Sequence, residues 1–464
     1  MALVQQALQA APNNQFIPLP TTPLPNEIMA EIFAHCVPGD AKINLLDPSE
    51  CPLLLLRICR TWRNLALSTP VLWSTLSFDL ECIDSVEERI NDISLVVDTW
   101  LARARRRPLI VGIAGLWSAG SALGGLRTIL RPLSKTIHKH SPNITRLIWR
   151  LAHASEADFF IPYPMNWARL IELELVPPDL YGEVESDDAP VEIFANAPLL
   201  RKISITRVQA EAFDLPLAQL THLRQECVYA HQCLPILSAL PKLIQCHLYS
   251  VDRELEQDLL LSIKTYPSIK HLSLTENQWI AVHSPTLSKN ILGFMTLPAL
   301  ESLDLAGADR IDADLLVAFL KRSSPPLRRL AFHPIETLQL NSIKPFHLLP
   351  SLEELEIHRP SRHLIVGFCQ ELAFNTVLPR LRRLIIHSHS SVDEMDFIAD
   401  QVGHALLARG KLVNLPPLDL LRLIVPVDFG ETNLAKMSSA LVTLAGLKEH
   451  GMNVYLGTDE LSAI

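Results

Sequence analysis

The sequence predicts an α + α/β protein in which a small helical module precedes a long array of short strands and helices. Three observations carry this. Leucine supplies 82 of the 464 residues, roughly 18% and far above its usual share. Proline is abundant at 34 and glycine scarce at 16, so breaks are frequent but tight glycine turns are not. From about residue 140 onward one pattern returns at intervals of roughly 23 to 37 residues: a proline, a short spacer, then L-x-x-L-x-L.

Composition also excludes classes. At 48% hydrophobic residues and a mean hydropathy of +0.20, the chain is too apolar to be disordered. A net charge of −9, from 41 Lys+Arg against 50 Asp+Glu, argues against nucleic acid or an anionic membrane as principal partner. The eight cysteines (36, 51, 59, 82, 227, 233, 246 and 369) contain no C-x-x-C pair. They read as reduced small hydrophobes of a cytoplasmic or nuclear protein. The N-terminus lacks the basic flank and apolar core of a secretory signal. Leu109–Leu126 is uncharged but glycine-bearing, and is expected to be a buried strand, Leu109–Ala114, followed by a loop.

Residues 1–22 read as a flexible leader. In the module that follows, at 23–80, Pro25 suits the first turn of a helix. Leu24, Ile28, Ile32 and Phe33 are spaced to form one apolar stripe, and Pro38-Gly39 ends the helix. A second helix is expected after an Asp47-Pro48 start; it runs through Leu53, Leu54, Leu55, Leu56, Ile58 and Cys59. A third covers Arg60-Thr61-Trp62-Arg63-Asn64-Leu65-Ala66, and Val71-Leu72-Trp73 follows. Trp62 and Trp73 are expected in the core. The four-leucine run cannot all face inward, so a unit this small should leave apolar surface for docking.

At these residues the chain resembles an F-box. The resemblance rests on Leu24-Pro25-x-x-Ile28 with Ile32-Phe33, then Ile58-Cys59-Arg60-x-Trp62-Arg63-x-Leu65-Ala66, then Leu72-Trp73-x-x-Leu76. With Thr99-Trp100-Leu101 and Arg107-Pro108-Leu109 it is similar to F-box proteins of mushroom-forming fungi, over about residues 23–115. The resemblance implies that Leu24, Pro25, Ile28, Ile32 and Phe33, joined by Leu55, Leu56 and Cys59, face a Skp-family adaptor and through it a cullin.

Residues 81–140 are expected to hold a linking helix and the first strand of the array, and 141–464 the array itself. Its leading apolar positions are Ile144, Leu170, Leu200, Leu243, Ile269, Leu300, Leu327, Leu352, Leu381 and Leu418, with a weak unit at Leu220. The last two leucines of each L-x-x-L-x-L alternate, so both point to one face of a short strand, and stacked strands share a continuous core. Helix faces are expected at Ile311, Leu315, Leu316, Phe319 and Leu320; at Met395, Ile398, Val402 and Leu406; and at Leu434, Met437, Leu441, Leu444 and Leu447. The units resemble leucine-rich repeats, which implies a right-handed α/β solenoid of about eleven irregular turns. The Asn expected after each strand is mostly missing, Asn277 being one of few fits.

No catalytic motif appears: there is no GxGxxG, GxxxxGK[ST], HExxH or GxSxG. The protein is read as not an enzyme, with no cofactor and no metal. His138/His140 and His387/His389 form H-x-H pairs that on a strand would share a face and suit a metal; exposed polar positions is the plainer reading. Glu172/Glu174 and Glu354/Glu356 are carboxylate pairs on one strand face, read as solvated. The residues alternating with the buried leucines should line the concave side: Arg146, Glu172, Glu174, Lys202, Ser204, Gln245, His247, His271, Ser273, Asp304, Arg329, Glu354, Glu356 and Arg383. Their mixed charge suits a protein target. The F-box resemblance implies a substrate-recruiting subunit of an SCF-type ubiquitin ligase. The rival is a non-ligase interaction scaffold whose helical module only caps the array.

Overall fold

The alternation within each repeat becomes a parallel strand. In KISIT, HLSLT and RLIIH the second and fourth residues are buried and the others stand partly or fully in solvent. A computed structural model describes residues 24–37, 47–80, 86–114, 123–150, 163–176, 192–206, 213–226, 230–249, 262–275, 291–307, 310–334, 337–340, 342–374, 377–388, 392–412, 418–425 and 438–458. The leader 1–22, Pro38-Gly39, Cys82, Cys227, Asn277, His389, Leu434 and Met437 lie outside them. The chain divides into two units, Met1–Leu220 and Thr221–Ile464, and both are mixed helix and strand.

The first unit begins with helix α1, Asn26–Cys36. Turns at 47–54 lead into a single helical turn, α2, Leu55–Ile58. The long second helix expected from Asp47 does not form. Pro52 has no N–H to donate, and the Asp47 carboxylate accepts from the backbone N–H and hydroxyl of Ser49, two residues on, closing a local turn instead. Helix α3, Arg60–Ser68, follows, with the Cys59 thiol accepting from the Trp62 N–H, and a 3₁₀ turn covers Pro70–Trp73.

The chain then enters strand β1, Thr75–Asp79, inside the span read as purely helical. Leu76 and Phe78 alternate inward there, a period of two hidden beneath the Leu72-Trp73-x-x-Leu76 match. Helix α4, Val86–Arg103, connects β1 to β2, Leu109–Ala114, and helix α5, Leu123–His140, connects β2 to β3, Ile144–Arg150. Helix α5 thus begins within the segment read as a loop. Strands β4, Glu172–Val176, and β5, Lys202–Thr206, extend the parallel order β1-β2-β3-β4-β5. Trp149, Trp167, Phe194 and Phe213 fill the core beneath β3 to β5, with Phe194 5.6 Å from Trp167 and 6.1 Å from Phe213 between ring centres.

The second unit repeats the scheme. Its main strands are β6, His222–Glu226; β7, Gln245–Tyr249; β9, His271–Thr275; β11, Ser302–Ala306; β13, Arg329–His333; β15, Glu354–His358; β16, Arg383–His387; β17, Leu420–Ile424; and β18, Asn453–Gly457. They pair in that order, all parallel. Two-residue strands β8 (Lys264–Thr265) and β10 (Met295–Thr296) pair with each other, as do β12 (Arg310–Ile311) and β14 (Gln339–Leu340). The crossovers carry helices α6, Ala230–Ser238; α7, Ile291–Phe294; α8, Ala313–Ser323; α9, Arg362–Phe374; α10, Val392–Arg409; and α11, Ser438–Glu449. Asp312 caps α8 by accepting from the N–H groups of Asp314 and Leu315. The expected inward faces are buried at Leu316, Phe319 and Leu320; at Met395, Ile398, Val402 and Leu406; and at Leu444 and Leu447.

All eleven leading positions, Ile144 to Leu418 with Leu220, are at most 3% exposed. The structure also explains the prolines. In Ala197-Pro198-Leu199-Leu200, Leu240-Pro241-Lys242-Leu243, Leu297-Pro298-Ala299-Leu300, Leu349-Pro350-Ser351-Leu352 and Leu378-Pro379-Arg380-Leu381, the leading leucine donates its N–H to the carbonyl three residues back. Proline occupies the second turn position, where its fixed φ suits a type I or II turn. The carbonyl just before one strand then accepts two N–H bonds from the next unit: Lys270 O from Glu301 and Ser302, Glu301 O from Arg328 and Arg329, Arg328 O from Glu353 and Glu354. Among the described residues, no helix is long and apolar enough to cross a membrane.

Candidate functional site

Two surfaces carry the residues singled out from sequence. The first lies on the N-terminal helices. Phe33, expected to face a partner, is 1% exposed and packs on Trp62 at 4.9 Å between ring centres. Leu55 and Leu56, expected to join it, are also core. The reason is the size of the unit: three short helices need every large inward side chain to close a core. Cys59 is half-buried and serves the turn into α3. What remains outside is Pro25 with Leu24, Ile28 and Ile32, at 52%, 50% and 43% exposure, and, farther on, Leu54 just before α2, Ile58 at its end and Leu67 on α3. The run Leu53–Leu56 splits as anticipated, with Leu54 outside.

The framework under this surface is fixed by polar side chains. Arg63 donates from Nε to the Leu56 carbonyl at 2.7 Å. Trp73 is fully buried, donates from Nε1 to the Ala66 carbonyl at 2.9 Å, meets Trp100 edge-on at 4.9 Å and lies under the Arg103 guanidinium at 4.6 Å. Trp100 in turn donates to the Thr75 carbonyl. Farther along, Asp98 on α4 accepts from Lys139 at 2.7 Å and faces His140 Nε2 at 2.7 Å. Burial pushes the Asp98 carboxyl up, but the Lys139 and His140 contacts outweigh it and hold the group below its ordinary range. His138 and His140 are on a helix, not a strand. His138 stacks on Tyr163 while His140 turns to Asp98, so this pair does not converge on an ion: residues two apart on a helix point to nearly opposite sides.

The second surface is the outward strand face. In the first unit Arg146 stands between Glu172 and Glu174, 3.3 Å from the former and 3.2 Å from the latter. Lys202 is exposed and Ser204 half-exposed. In the second unit His247 is hydrogen-bonded to Gln245 and lies near the Tyr249 ring, while His271 is exposed. The denser cluster is on β11 to β16. Arg329 donates from Nε to Glu354 at 2.8 Å and from Nη2 to Glu356 at 2.7 Å, and Arg383 closes on Glu354 at 2.5 Å. Much of the charge expected to face a target is therefore paired within the sheet.

Three residues here were missed as a group. His333, His358 and His387 end β13, β15 and β16; the His333 and His358 rings meet tilted by 49° at 4.1 Å, and the His358 and His387 rings stack at 3.6 Å. Nε2 of His358 and of His387 lie 3.0 Å and 3.3 Å from Oε1 of Glu356. Hydrogen bonds from His358 first, then His387, hold the Glu356 carboxylate well below its usual range. Burial lowers the His358 ring's proton affinity. Burial also raises Asp304, whose Oδ1 is 3.4 Å from His333 Nε2. The signal was in the sequence: aligning RLAFH, ELEIH and RLIIH on their buried leucines puts the three histidines in one column.

Among the described cysteines all are free thiols, and burial pushes Cys369 up to about 12, so it acts as core. No protein-family model matches this chain, and no curated protein is similar to it.

Proposed function

We propose that the chain is the substrate-recruiting subunit of an SCF-type ubiquitin ligase, with the N-terminal helices docking a Skp-family adaptor and the strand array, a leucine-rich-repeat-like solenoid, holding a protein target. The observation that carries this reading is the exposed apolar group of Leu24, just before α1, with Ile28 and Ile32 on α1, a helix whose other side is closed by Phe33 on Trp62. Three large apolar groups standing near half-exposed at the start of one short helix are better accounted for by a partner than by the chain's own core. In this role the protein supplies proximity: a target held beside a charged conjugating enzyme reacts at high effective concentration.

The rival, a scaffold whose helical segment only seals the end of the sheet, draws on a different observation. Trp73, Trp100 and Arg103 pack the 3₁₀ turn directly onto β1 and α4, as a cap would. That contact uses residues 70–103 and leaves 24–32 unexplained. Co-expression of the full chain with a Skp-family adaptor and a cullin separates the two. The ligase reading expects all three to co-purify; a chain that purifies alone supports the scaffold.

A further inference from the structure

We propose that His333, Glu356 and His358 hold a divalent transition-metal ion, zinc being the best match, on the outward face of β13 and β15. The three residues each bring one ligand atom, and these atoms lie within 4.8 Å of one another. Two ligand atoms on one tetrahedral zinc stand roughly 3.3 Å apart, as follows from bonds of about 2.0–2.2 Å. One separation is close to that, 3.0 Å from His358 Nε2 to Glu356 Oε1, and the His333 ligand atom lies within 4.8 Å of both partners. Small side-chain rotations suffice to converge them.

The surroundings favour a cation. Asp304 Oδ1 is buried, accepts no hydrogen bond among the described residues, and faces His333 Nε2 at 3.4 Å. It is placed either to ligate or to orient that imidazole, as carboxylates behind metal-bound histidines do. Arg329 engages Glu356 through Oε2, leaving Oε1 to the histidine side. The charge balance points the same way. Asp304, Glu354 and Glu356 give three carboxylates against the two guanidiniums of Arg329 and Arg383, so with neutral histidines one negative charge is uncompensated.

Two imidazoles and a carboxylate suit zinc better than calcium or magnesium, which take oxygen-rich sets. The donors come from adjacent parallel strands in matched register, a rigid frame. His333, Glu356 and His358 keep side-chain exposures of 28%, 14% and 19%, which leaves a coordination position open to water or to a ligand from a bound protein. This assignment is independent of the adaptor reading, which concerns the other end of the chain.

The test uses the full chain, stripped with chelator and titrated with cobalt chloride, then with zinc chloride against a chromophoric chelator. The wild-type protein is expected to take up one ion with visible cobalt bands and no thiolate-to-metal charge-transfer band. H358A and E356Q are each expected to weaken binding at least about tenfold, and C36S to leave it unchanged. A wild-type protein that takes up no cobalt, variants that bind as well as wild type, or a thiolate band would overturn the proposal. Should the variants fail to fold, X-ray absorption on the zinc-loaded wild-type chain decides. Imidazole scattering with a nitrogen and oxygen shell supports the site, and a sulfur shell contradicts it.

Discussion

Phe33 and Ile28 sit five residues apart on the same helix and have opposite fates, one 1% and the other 50% exposed. That contrast separates folding from docking. Phe33→Ala removes the ring that packs on Trp62 and is expected to cost about 3–5 kcal/mol, read as a fall in the unfolding midpoint. Ile28→Ala is expected to leave stability within about 0.5 kcal/mol and to act only on partner binding. From sequence both read as part of one apolar stripe and both match the F-box pattern; in the structure their five-residue spacing turns Phe33 about 140° away from Ile28, onto Trp62. Asp98 supplies a pH-dependent test. Its folded-state pKa is depressed by Lys139 and His140, so its contribution is complete above the unfolded value of about 3.9 and is lost as pH falls through the folded value. The melting-temperature difference between wild type and D98N is therefore expected to be present at neutral pH and to vanish in strong acid.

Among elements, the repeat is a turn, a buried leucine and a five-residue strand, and this much was legible. The prolines and the L-x-x-L-x-L spacing located eleven strand starts, and those starts are buried. The elements that escaped depart from that signature. Strand β1 follows a proline turn of the same kind, in which Leu72 donates to the Thr69 carbonyl, but its first inward residue, Leu76, comes one position later than in the repeats and overlaps the helical match; β18, in NVYLG, follows helix α11 without a proline turn. The strand-end histidines escaped because they were read within single strands rather than down the column. A prediction at this scale concerns helix packing. A Cβ on Gly403 of α10 would meet Thr443 Cγ2 of α11 at 2.6 Å and Thr443 Cβ at 3.3 Å. G403A is expected to force the helices apart, costing about 1–3 kcal/mol, whereas the same change at Gly446, where nothing lies within 4 Å, is expected to be neutral or stabilising. Chemical denaturation of the two variants side by side checks this.

For the molecule as a whole, the two surfaces differ in character. The N-terminal helices present apolar side chains with no internal use. The strand face presents charges that largely compensate one another, Arg146 with Glu172 and Glu174, Arg329 and Arg383 with Glu354 and Glu356; under the proposed function, target selection there would depend on shape and on the remaining polar groups more than on net charge. The mixed signs were readable in sequence; the pairing was not, because it depends on which strands are neighbours. The proposed function rests on adaptor docking through Leu24, Pro25, Ile28 and Ile32. Isothermal titration calorimetry of the full chain with a recombinant Skp-family adaptor tests it directly. Wild type is expected to bind with one-to-one stoichiometry. The L24D/P25A double variant, with an unchanged unfolding midpoint, is expected to lose about 2 kcal/mol or more, near thirtyfold in Kd. No heat of binding for wild type, or equal affinity for the double variant, would contradict the assignment.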